Sequence, residues 1–137
     1  MAVTNVSGVA VPAESTTAYG HIISEHNVKT HELAGDTEAA VREYFSDIPV
    51  MIEIARCEST FRHTLSDGSV LKGYVDNADT GVMQINQRYH LKSAQALGLD
   101  VYDLYDNMEY ARYLYERQGT QPWSASAPCW SRSLAMR

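Results

Sequence analysis

The sequence predicts a mainly helical (α+β) domain that carries one small hairpin or irregular insertion. Three observations predict it. Apolar residues recur at helical spacing in separate stretches, around 38–45, 49–58 and 107–118. Start and stop signals bound these stretches, with Thr37, Asp47 and Pro49 at their beginnings and Gly98 and Gly119 past their ends. Between residues 62 and 78 the turn runs S-D-G-S, K-G-Y and D-N-A-D interrupt any helical period.

The 137 residues suit one domain with a tail, and an apolar fraction of 45% is ordinary for a globular chain. The net charge of −6 and the absence of any Lys/Arg cluster argue against a nucleic-acid or anionic-membrane partner. No apolar run approaches the roughly 18 residues of a membrane span. Residues 1–20 hold no Lys or Arg, and their apolar run Val9-Ala10-Val11 is too short for a signal-peptide core. The two cysteines, Cys57 and Cys129, suit either a bridge or two buried thiols.

Residues 1–35 read as a flexible N-terminal tail, and residues 36–137 as the folded domain. Within the tail, residues 18–23 could pack on the domain. His21, His26 and His31 recur every five residues, which does not stack them on one helix face, so neither a metal nor another cofactor is expected. Thr37 is placed as the N-cap of the first helix, with Val41, Tyr44 and Phe45 facing inward. Asp47 is expected to cap the second helix, with Pro49 in its first turn. Along that helix Val50, Ile54 and Cys57 share one face, while Met51, Ala55 and Glu58 lie on the adjoining one. Val70, Leu71, Tyr74 and Val75 are the candidate strand residues of the insertion. Residues 91–97 form a short helix stopped by Gly98. Asp106 or Asn107 starts the next, with Met108, Ala111, Leu114 and Tyr115 on its core face. The closing P-W-S-A-S-A-P-C-W reads as too rich in Pro and Ser for a helix.

Glu58 stands beside an apolar stripe, where ionisation is costly. A carboxyl in such surroundings has its pKa raised, which suits a proton donor to a leaving oxygen, as glycoside cleavage requires. The plainer alternative is a helix-end glutamate paired with Arg56 or Arg62. Asp79 reads either as a second carboxylate or as an Asx turn before Gly81, and Asp76 is a weaker second candidate. Gln84 and Asn86 offer amides suited to N-acetyl and hydroxyl groups of a sugar. Tyr74, Tyr89, Tyr102, Tyr105, Tyr110, Tyr113 and Trp123 could stack on sugar rings, although most aromatics at helical spacing belong to a core. No phosphate-binding Gly loop, G-x-S-x-G elbow or zinc signature is present.

At these residues the chain resembles the lysozyme-like lytic transglycosylases that cut peptidoglycan. Glu58-Ser59 and Gly81-Val82-Met83-Gln84-Ile85 match that family's Glu-Ser and G-[LV]-[MF]-Q-[IL] motifs. Asp79 and Asn86 extend the second to the D-x-G-x-M-Q-I-N form of secretion-system transglycosylases, and Asp103-Leu104, Asn107, Ala111, Tyr113 and Leu114 resemble the downstream segment. The C-E-S and R-Q-G…P-W…C runs are similar to resuscitation-promoting factors. The likeness covers about residues 47–130; the A-Y-N-x-G motif of many soluble members is absent, and the segment from Glu58 to Gly81 is long.

The resemblance implies a lysozyme-like fold with Glu58 as general acid and base on the MurNAc-β-1,4-GlcNAc bond, giving 1,6-anhydro-muramyl ends. It implies substrate contacts from Ser59, Asp79, Gly81, Met83, Gln84, Asn86 and Tyr113. It also implies a Cys57–Cys129 disulfide, an extracytoplasmic setting, peptidoglycan strands as the partner and a monomer in action. The alternatives are a hydrolytic muramidase and a non-catalytic peptidoglycan-binding module.

Overall fold

The computed structural model describes residues 34–136. Residues 1–33, with the three spaced histidines and the segment 18–23, lie outside the described residues. Among the described residues the chain forms five α-helices and one two-stranded antiparallel sheet, a mainly helical fold with a small hairpin. The helices are α1 (Ala34–Tyr44), α2 (Pro49–Ser59), α3 (Gln87–Ala96), α4 (Leu104–Gln118) and α5 (Ala127–Ala135). A 3-10 segment, Gln121–Ser126, precedes α5. The strands are β1 (Asp79–Thr80) and β2 (Ile85–Asn86), in the register Asp79↔Asn86 and Thr80↔Ile85. No described helix is long and apolar enough to cross a membrane.

In α1 the inner stripe is Thr37, Ala40, Val41 and Tyr44, the i, i+3, i+4, i+7 spacing of one helix face. Thr37 is therefore a buried residue inside the helix and not its N-cap. Asp47 likewise does not cap α2: Ile48 occupies that position without a side-chain bond. The Asp47 carboxylate instead takes both guanidinium nitrogens of Arg112 on α4, at 3.0 Å each. Pro49 does sit in the first turn of α2, where its missing N–H costs nothing.

The core is built where the helices meet. Phe45, Met51, Ile54, Val82, Met83, Leu104, Met108 and Ala111 are buried there without remainder. Burying a side chain such as Met or Leu is worth about 1.5–3 kcal/mol, so this cluster outweighs any single polar contact on the surface. Helix α4 begins earlier than expected, at Leu104, because Asp103 accepts from the Asp106 amide at 3.0 Å and caps it. Met108, Ala111 and Leu114 face the core as predicted, while Tyr115 is half-buried. Helix α3 starts at Gln87, where the Asn86 side chain accepts from the Arg88 amide, and it ends before Gly98.

Two expectations about irregular regions are corrected. In the insertion the named strands flank Gly81, whereas Val70 makes a single bridge with Thr64. Tyr74 and Val75 are fully exposed in a bend and belong to no strand. The C-terminal P-W-S-A-S-A-P-C-W segment does coil, as the 3-10 segment followed by α5. Pro122 and Pro128 both fall in first turns, where their lack of an N–H is harmless. Cys57 and Cys129 are joined in a disulfide across a separation of 72 residues, which ties α5 to α2. The Arg56 guanidinium adds a hydrogen bond to Ser133 Oγ at the same junction.

Candidate functional site

Glu58 lies in the last turn of α2, at the edge where the buried face of the helix gives way to a groove. The chain leaves the helix at once, with left-handed backbone at Thr60 (φ 51°) and Phe61 (φ 59°). Ser59 points inward, donating Oγ to the Ala55 carbonyl at 3.0 Å and closing the helix end. Neither arginine pairs with Glu58: Arg56 binds Glu53, and Arg62 turns back to the Ser59 carbonyl and Thr60.

The facing wall is the turn between β1 and β2. It turns at Gly81, φ 77°, where a Cβ would stand 2.5 Å from Asn107 Nδ2 and 2.6 Å from His63 Cε1. Only glycine fits both the backbone and the space. The turn's amides are satisfied by buried side chains: Val82 N–H donates to His63 Nδ1 at 3.0 Å, and Met83 N–H to Asn107 Oδ1 at 3.0 Å. Asn107 Nδ2 returns hydrogen bonds to the carbonyls of Thr80 and Val101. Because His63 Nδ1 accepts, its hydrogen is on Nε2, which donates to the Tyr102 carbonyl at 2.7 Å. Gln84, in the left-handed region at φ 52°, donates Nε2 to the Gly81 carbonyl and lines the groove.

The 3-10 segment supplies the third wall. Trp123 is anchored by its Nε1–H on the Met83 carbonyl at 2.9 Å, so the glycine turn and the C-terminal segment hold each other. Three residues on, Ser126 Oγ lies 2.6 Å from Glu58 Oε2. Between the walls is a groove of about 280 Å³ lined by Glu58, Asp79, Gln84, Asn86, Tyr89, His90, Trp123 and neighbours.

Burial is the main cause that pushes the Glu58 carboxyl above its ordinary pKa of 4.5. The Ser126 hydrogen bond opposes this, and the negative charge of Asp79 adds to the rise. Asp79 accepts from Asn86 Nδ2 at 2.8 Å. Asp76 is held outside the groove. Its carboxylate is gripped by Arg88 at 2.7 and 3.1 Å and also takes Asn86 Nδ2 and the Ala78 amide, which holds it well below the usual range. It buttresses the Asp79–Asn86 pair from outside the groove. On α3, His90 contacts Tyr110 Oη through Nδ1 at 3.1 Å, and burial lowers its pKa.

Of the expected site residues, the structure brings together Glu58, Asp79, Gln84 and Asn86. Ser59, Gly81 and Met83 are buried under the wall and shape it without lining the groove. Tyr113 is elsewhere, beside Leu99 and Glu109 in a second cavity of about 360 Å³. Among the candidate stacking residues Tyr89 lines the groove and is 75% exposed, Trp123 is 3% exposed, and Tyr110 is buried. The sequence reading missed Ser126 and His90. His63 and Asn107 are supports whose role depends on contacts 19 and 24 residues away. No family model, curated protein or solved structure matches the chain.

Chemically, the arrangement presents one half-buried acid whose ionised form is made more costly by burial, a second carboxylate on the opposite wall, and amides beside an exposed tyrosine. No cluster of three or more metal-ligating side chains occurs among the described residues. A polar ligand seated in the groove would lie within reach of this acid.

Proposed function

We propose that the chain is a peptidoglycan lytic transglycosylase acting on the bond between N-acetylmuramic acid and N-acetylglucosamine. The observation that carries this reading is Glu58, held in a groove against the Gly81–Gln84 turn with its carboxyl pushed toward the protonated form. The resemblance of the Glu58-Ser59 and Gly81-Val82-Met83-Gln84-Ile85 motifs to that family supports it further.

In this mechanism Glu58 gives its proton to the glycosidic oxygen, the C1–O bond breaks, and the electron pair leaves with the N-acetylglucosamine oxygen. The Glu58 carboxylate then takes the proton of the muramyl 6-hydroxyl, whose oxygen closes on C1 as a 1,6-anhydro ring. The substrate supplies the nucleophile, so one acid suffices. Gln84 and Asn86 are suited to acetamido and hydroxyl groups, and Tyr89 to the face of a sugar ring.

The presence of Asp79 in the same groove favours a second reading, hydrolysis by a water that Asp79 positions. Mass spectrometry of digested sacculi separates the two, since anhydro-muramic ends mark transglycosylation and reducing ends mark hydrolysis. Glu58→Gln is expected to lower turnover by at least about a hundredfold. A variant that binds sacculi and retains the full biological effect without Glu58 would instead identify a binding module. An extracytoplasmic location is part of the proposal, and the Cys57–Cys129 bridge supports it.

A further inference from the structure

Ser126 has one hydroxyl hydrogen and two acceptors within reach, Glu58 Oε2 at 2.6 Å and the Trp123 carbonyl at 3.1 Å. A hydroxyl can donate to only one of them. The Trp123 carbonyl has another donor, Trp130 Nε1–H, at 3.1 Å. The shorter contact and the second donor both direct the Ser126 hydrogen to Glu58.

That choice has a consequence for the acid. A carboxyl oxygen that receives a hydrogen bond is the carbonyl-like one, so the carboxyl's own proton sits on the other oxygen. Oε2 is taken by Ser126, while Glu58 Oε1 has no hydrogen-bond partner among the described residues and the side chain lines the groove. We propose that Ser126 is a positioning residue that places the transferable proton of Glu58 on Oε1. Its hydroxyl persists as a donor to Oε2 through the cycle and stabilises the carboxylate formed once the proton has gone to the leaving oxygen. When Oε1 recovers a proton from the attacking hydroxyl, the pair returns to its starting state with no group consumed. This inference rests on Glu58 being the acid.

The fold holds Ser126 for this task from both sides. Trp123 fixes the segment to the Met83 carbonyl, and Cys129, three residues beyond Ser126, is bonded to Cys57, the neighbour of Glu58. The other titratable groups lining the groove are Asp79 on β1 and Tyr89 and His90 on α3. Arg56, on Glu58's own helix, faces Glu53 and Ser133.

The test compares wild type, Ser126→Ala and Ser126→Thr in two measurements. In sacculus digestion, Ser126→Ala should lower kcat about tenfold, the scale of one hydrogen bond to a charged group, with KM unchanged. The alkaline limb of its pH profile should move to higher pH, because the carboxylate has lost a donor. Ser126→Thr, which keeps the hydroxyl, should restore both. Independently of turnover, a carbon-13 NMR titration of the Glu58 carboxyl should show the same upward movement in Ser126→Ala and its reversal in Ser126→Thr. Wild-type kcat and an unmoved limb in Ser126→Ala, or a Glu58 titration indifferent to the substitution, overturns the proposal. If wild type cleaves no sacculi, the transglycosylase reading fails, while the titration still decides whether Ser126 governs the Glu58 proton.

Discussion

Glu58 carries opposing demands on function and stability. Its folded-state pKa is raised above 4.5, mainly by burial, so between 4.5 and that folded value the native protein binds more protons than the unfolded chain. Stability therefore falls as pH rises through this window. Glu58→Gln removes the ionisable group, and the variant should melt above wild type at pH 7, with the gap closing below pH 4.5. Melting curves separated equally at both pH values would exclude the buried-acid account. Gly81 is the matching constraint on the opposite wall. Gly81→Ala would need a left-handed alanine and a shift of Asn107 or His63, at a cost of about 2 kcal/mol or more in denaturant unfolding. Near-wild-type stability would show that the turn can yield.

Among the elements, the loop 73–79 depends most on electrostatics. Gly73 N–H donates to the Asp79 carbonyl, Asp79 N–H to the Asp76 carbonyl, and Asp76 is clamped by Arg88 from α3. The depressed pKa of Asp76 means that this support is present above its ordinary 3.8 and is lost as pH falls below it. Asp76→Ala should speed amide hydrogen exchange at Gly73 and Ala78 and, under the proposed transglycosylase activity, raise KM, because Asn86 and Asp79 lose their buttress. Exchange rates that do not change would make the clamp ornamental. The C-terminal segment coils against the expectation from its composition for an identifiable reason. Proline content argues against a helix interior, but Pro122 and Pro128 occupy first turns, where the same residue favours a helix.

For the whole molecule the Cys57–Cys129 bridge is the covalent long-range tie among the described residues, closing a separation of 72 residues between α2 and α5. In the chain-entropy account a loop of that size contributes about 4 kcal/mol. Reduction should then lower the melting temperature by on the order of 15 °C, and identical melting with and without reductant would show the bridge to be idle. Because α5 follows the 3-10 segment that carries Ser126, reduction should also loosen the hydroxyl's hold on Glu58, although the Trp123–Met83 anchor remains.

Local information determined most of the architecture of this protein. The apolar stripes of α1, α2 and α4, the stops at Gly98 and Gly119, and Pro49 in a first turn are properties of a few neighbouring residues, so each was legible in the sequence. The place of Glu58 beside an apolar face was legible too, but spacing alone suited an arginine-paired glutamate better, and the packing of Arg56 on Glu53 and of Arg62 on Ser59 and Thr60 excludes that pairing. Tertiary structure alone decided which groups meet that acid. Ser126 lies 68 residues from Glu58 and carries no periodic signal; Asp47 left a capping position for Arg112, 65 residues away; Tyr113 faces a different cavity. Helical spacing records which side of an element is apolar, whereas hydrogen bonds between distant elements depend on how those elements pack, and that packing is a property of the whole chain.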